Sequence, residues 1–97
     1  MKLSNKQKKF LKSLSHDYKA VVMIGKEGIS DKLLMNANQA LKAHELVKVS
    51  MLNTSPLTVN EAAVKIATNT KSEVVDTVGR VIILFKQSEE KKIDLPK

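Results

Sequence analysis

The chain has 97 residues and no cysteine, which excludes a disulfide framework and any thiolate metal site and agrees with a reducing compartment. Seventeen Lys and Arg against ten Asp and Glu give a net charge of +7, and residues 1–26 carry +6 of it. A surplus gathered at one end is the electrostatic footprint of a polyanion binder, and a lysine-rich solubilising face is its bland counterpart. A length of this order supports one domain that buries about 60% of its unfolded surface. The longest apolar runs have five residues, far short of a membrane span, and no apolar segment follows the N-terminal lysines as in a secretory signal. The expectation is a cytoplasmic protein without membrane association.

Ser4-x-x-Gln7 is a capping box that opens a first helix. At 100° per residue Leu3, Phe10, Leu11 and Leu14 share one arc, predicted to face the core. Lys2, Lys6, Lys8, Lys9 and Lys12 fall on the opposite arc as a comb without interleaved carboxylates. Such a comb repels itself mildly, so it points to a polyanionic ligand rather than to stability. His16, near the helix end, favours the negative end of the helix dipole.

Ala20 to Ile24 is a short β-branched apolar run, predicted to be a strand buried on both faces. Gly25-Lys26-Glu27-Gly28 follows, and then Ser30, an N-cap with Asp31 in the first turn of a second helix. Glycines at this junction let a nucleic-acid backbone approach closely, and Lys26 adds a full charge at the tip. Taken alone, Gly-x-x-Gly also fits a plain tight turn. On the second helix Leu33, Leu34, Ala37, Ala40, Leu41 and His44 share the apolar face, with Lys32, Gln39 and Lys42 opposite; His44 is predicted to pack among core residues.

Leu46 to Met51 is a second strand with Lys48 opposite Val47 and Val49. A strand–helix–strand crossover over residues 20–51 makes these two strands parallel neighbours. Thr58-x-x-Glu61 is a second capping box, opening a third helix with Ala62, Ala63, Ile66 and Ala67 inward and Asn69 near its end. Glu73 to Val78 and Val81 to Phe85 form an antiparallel hairpin around Gly79-Arg80, and the all-apolar last strand is predicted to be central. Residues 88–97 read as a charged, frayed tail. The predicted fold class is α/β, a single compact domain in the order α-β-α-β-α-β-β with a mixed four-stranded sheet.

In this order the residues resemble the CRM domain family (chloroplast RNA splicing and ribosome maturation), in its stand-alone bacterial YhbY-type form. The resemblance rests on Val21 to Ser30, Ala40 to Val49, Glu73-Val74-Val75, and Val78-Gly79-Arg80 leading into Leu84-Phe85-Lys86. It implies a fold similar to the C-terminal domain of translation initiation factor three, with a KH-like Gly-x-x-Gly loop. It also implies association of an RNA-binding domain, residues 1–87, with rRNA in precursors of the large ribosomal subunit. By matching position it gives Gly25, Lys26, Glu27 and Gly28 as the RNA-binding loop and Arg80 as the family's Gly-Arg at the final hairpin. Lys2, Lys6, Lys9, Lys12 and Lys32 join them from helical phase and charge. The chain departs from the family at Tyr18-Lys19-Ala20, where a proline is common, and at Asn53-Thr54-Ser55-Pro56, where basic residues are common.

The reading is a monomeric binding module with no catalytic residue, metal, cofactor or small-molecule substrate. Carboxylates are scattered, no Ser-His-Asp or metal-ligand spacing occurs, and both histidines have structural explanations. Aromatic residues number three (Phe10, Tyr18, Phe85), so stacking platforms are few and structured RNA is expected to be held by shape and backbone. A protein–protein adaptor docking its basic helix on an acidic ribosomal or assembly-factor surface is the alternative. A DNA-binding role is a further rival.

Overall fold

Ser4 caps α1 (Asn5–Ser15) through the predicted box: its hydroxyl accepts from Gln7 N–H, and the Gln7 side chain accepts from Ser4 N–H. The computed structural model describes residues 2–97 and continues with β1 (Ala20–Ile24), α2 (Asp31–His44), β2 (Leu46–Met51), α3 (Val59–Thr70), β3 (Glu73–Val78) and β4 (Val81–Phe85). Thr58 and Glu61 form the second capping box at α3, which runs one residue past Asn69 to Thr70. The mixed four-stranded α/β fold matches the expectation.

The sheet order is β1-β2-β4-β3. β1 and β2 are parallel, as a helical crossover demands, while β4 lies antiparallel to both β2 and β3. Helices α2 and α3 cover one sheet face, burying Val22, Ile24, Val47, Val49, Ile82 and Leu84 against Leu33, Ala37, Leu41, Ala62, Ala63 and Ile66. α1 covers part of the other face, over Leu46, Val75, Ile83 and Phe85. β4 therefore sends alternate side chains into two cores, which is why every position in it is apolar.

β1 differs from the expectation. It is an edge strand, and although Val22 and Ile24 are buried, Val21 and Met23 are 58% and 59% exposed. The chain spends its sheet-covering length on α1, which packs on β2, β3 and β4 and leaves β1 bare on that face. Phe10 also departs from its predicted place and is partly exposed, whereas Leu3 and Leu11 are buried. His44, expected in the core, is exposed at the last turn of α2. The buried residue there is its neighbour Glu45, fully enclosed at the C-cap with φ +65°.

The tail corrects the frayed expectation. Ile93 and Leu95 pack against the α1-side core, and the Gln7 side-chain amide donates to the Pro96 carbonyl at 3.0 Å. The backbone N–H groups of Ser88, Lys92 and Ile93 all donate to the Glu45 carboxylate. A tail of charged composition is thus ordered by a buried acceptor that composition does not reveal.

Candidate nucleic-acid interface

β1 delivers the chain to Gly25, and the loop closes on itself when Gly28 N–H donates to the Gly25 carbonyl at 3.0 Å. Gly28 has φ +71°, a conformation that side chains with a Cβ adopt at a cost of about 1–2 kcal/mol. Lys26 and Glu27 stand exposed at the tip. Leu52 and Pro56 back the loop, 3.8 Å and 3.6 Å from where Cβ atoms on Gly25 and Gly28 would lie. The Asn53-Thr54-Ser55-Pro56 segment, without basic residues, thus lies behind the loop.

Ser30 then caps α2, its hydroxyl accepting from Leu33 N–H at 3.1 Å. Loop, strand edge and helix together enclose a groove of about 410 Å³ lined by Val21, Met23, Lys26, Gly28, Lys32 and Asn36. Its strand wall is open for a backbone reason. The Ile24 carbonyl accepts from Leu52 N–H on the β2 side, so the alternation of a strand turns the Met23 N–H and C=O outward to the free edge. The groove therefore pairs two lysines with main-chain donors and acceptors. Glu27 in the loop and Asp31 in the first turn of α2 moderate its charge.

The candidate residues divide into two groups. Gly25, Lys26, Glu27, Gly28 and Lys32 share the groove. Arg80 lies at the same end of the sheet, since its carbonyl accepts from Met51 N–H, next to the Leu52 amide that braces the loop. Lys2, Lys6 and Lys9 are exposed on and beside α1, over the opposite sheet face, and none lines the groove. Lys12 is half-buried and ion-paired with Asp76 of β3 at 2.8 Å. That contact, with the Thr77 amide, holds the Asp76 carboxyl below its ordinary value. Met23 and Asn36 were not among the sequence candidates: their place in the groove follows from β1 being an edge, which periodicity does not encode. Among the described residues no cluster of three or more His, Cys, Asp or Glu is arranged to hold a metal ion, and no helix is long and apolar enough to cross a membrane.

A family model described as the CRS1 / YhbY (CRM) domain matches residues 3–86. The chain belongs to the CRM domain family. Among curated relatives, "Probable RNA-binding protein YqeI" of Bacillus subtilis is 38% identical over 95 residues, covering 97% of this chain and 99% of the relative. A Haemophilus influenzae protein named "RNA-binding protein" is 40% identical, covering 98% and 96% of the two chains. The solution structure of Staphylococcus aureus SAV1595 superposes with a TM-score of 0.83 at 34% identity, over 98% of this chain and all of the other.

Proposed function

We propose that this CRM protein binds RNA, and that its role is in maturation of the large ribosomal subunit, where it holds structured rRNA through the Gly25–Gly28 loop and the lysines of α1. The groove between the loop, the β1 edge and α2 carries this reading. Two glycines clear the approach, Lys26 and Lys32 supply charge, and the helix start supplies free N–H groups. Relatives named as RNA-binding proteins match end to end and support it. The reading is of a monomeric cytoplasmic binding module rather than an enzyme.

On this reading α1 and the loop engage different segments of one folded RNA, because they lie over opposite faces of the sheet. Fluorescence anisotropy with large-subunit rRNA fragments at two salt concentrations tests it, comparing the wild type with Lys26→Asp. Salt-sensitive binding that collapses in the variant supports RNA at the loop. Equal binding by both proteins assigns the polyanion contact to α1 alone. Absence of binding by either, with association to ribosomal particles that survives ribonuclease, turns the reading to the protein adaptor.

A further inference from the structure

α1 covers only part of its sheet face. Met23 pairs with Ser50, Ser50 with Val81, and Val81 with Val78, so these four residues form one row across all four strands. Met23 and Val78 are 59% and 50% exposed, and Ser50 and Val81 are half-buried. In the neighbouring row Lys48 pairs with Ile83, and Ile83 is buried under α1. Where the end of α1 meets the bare row there is a hollow of about 180 Å³, walled by Lys12 and His16 and floored by Lys48, Val78, Val81 and Ile83.

We propose that this hollow seats an unpaired pyrimidine base of the bound RNA, with the bare row as its apolar floor. This rests on the RNA-binding reading above and adds a base contact to it. Size and charge both favour that occupant. An apolar cavity of about 150 Å³ accepts a benzene-sized ring, so the hollow takes one six-membered ring. The polar side chains that line it include two lysines, Lys12 in the wall and Lys48 in the floor, and no carboxylate. The facing carboxylate, Asp76, is already held by Lys12, and Asp17 follows His16 at the helix end. Ser15 is fully buried and its hydroxyl donates to the Lys12 carbonyl. The Lys48 ammonium donates only, so it matches a carbonyl oxygen of uracil better than an exocyclic amine. β-Branched side chains in the floor replace the aromatic platform that the composition lacks.

The test is anisotropy with a short fluorescent oligouridine and with duplex RNA of equal length, using wild type, Val78→Glu and Lys26→Asp. Val78→Glu is expected to weaken oligouridine binding about tenfold and duplex binding less than about twofold, with an unchanged circular dichroism spectrum. In the wild type, 4-thiouridine in the oligomer is expected to crosslink within residues 78–83. If Val78→Glu disturbs the fold, Val78→Thr and the crosslink site decide instead. Full oligouridine affinity in the Val78 variants, with loss in Lys26→Asp, overturns the base seat and leaves the RNA reading standing. Absence of binding to both RNAs by the wild type overturns both. A wild-type dimer in sedimentation that Val78→Glu dissociates also overturns the base seat, because a second copy then covers the row.

Discussion

The Glu45 carboxylate accepts both the backbone N–H of Ser88, at 2.8 Å, and the Ser88 hydroxyl, tying the end of α2 to a residue 43 positions away. The same carboxylate takes the N–H groups of Lys92 at 3.1 Å and Ile93 at 2.8 Å. Its own carbonyl accepts from Lys86 N–H. Glu45 is fully buried at positive φ, where a glycine would be less strained. The carboxylate offsets that strain by satisfying donors that otherwise have no acceptor under the tail. One residue thereby ties together the end of α2, the residue after β4 and the tail.

Glu45→Ala should therefore cost more than an ordinary surface change. Three main-chain donors lose their acceptor, and Ile93 and Leu95 lose the anchor that holds them against the α1-side core. The expected loss is about 3 kcal/mol, which lowers Tm by about 10 °C or more in a domain of this size. Thermal unfolding by circular dichroism measures it. Hydrogen exchange at Ser88, Lys92 and Ile93 should accelerate well before global unfolding. Unchanged exchange there would show that packing alone seats the tail.

Acid should loosen the same unit. Burial works against the charged form of Glu45, but the Ser88 hydroxyl and the three N–H donors outweigh it, so its carboxyl sits below the ordinary value of 4.5. A carboxyl lowered in the folded state contributes stability that is present above its unfolded value and is lost as pH falls through the folded one. Asp76, with Lys12 and the Thr77 amide, shifts in the same direction. Stability should hold near neutrality and decline on acidification below 4.5. In Glu45→Gln that decline should be shallower, which denaturant titration across acid pH will show.

The two loop glycines should respond differently to alanine. A Cβ on Gly25 meets Leu52 at an ordinary 3.8 Å, so Gly25→Ala should leave Tm almost unchanged. Gly28 also has room, 3.6 Å from Pro56, but its φ of +71° strains any Cβ. Gly28→Ala should cost about 1 kcal/mol, read in urea unfolding as a lower midpoint with the same slope. If the glycines serve backbone approach by RNA, both variants should weaken binding, although just one is destabilised.

Salt dependence separates the two basic surfaces. With about 5 phosphates neutralised, the log–log slope for single-stranded RNA should be near −3.5. Lys26→Gln and Lys9→Gln should each make it shallower by about 0.7, since each removes one phosphate contact. Lys12→Gln should change it less, because Asp76 already engages that ammonium at 2.8 Å. A slope unmoved by Lys9→Gln would take α1 out of the interface.

Local chemistry made much of this protein legible from sequence alone. Ser4 with Gln7 and Thr58 with Glu61 cap helices because their groups lie within one turn of each other. The crossover between β1 and β2 dictates parallel pairing, and the Gly25–Gly28 turn stands where a strand must become a helix. Residues 3–86 carry the CRM pattern in order. Tertiary structure decided what local order leaves open. Val21 and Met23 look as buried as Ile82 and Leu84 in the sequence, yet coverage depends on where α1 lands, and it lands away from β1. His44, expected in the core, is exposed, and its neighbour Glu45 is buried because the chain turns at positive φ and the tail supplies distant donors to the carboxylate. Burial of a charge is set by partners that arrive from elsewhere in the chain, and helical phase carries no record of them.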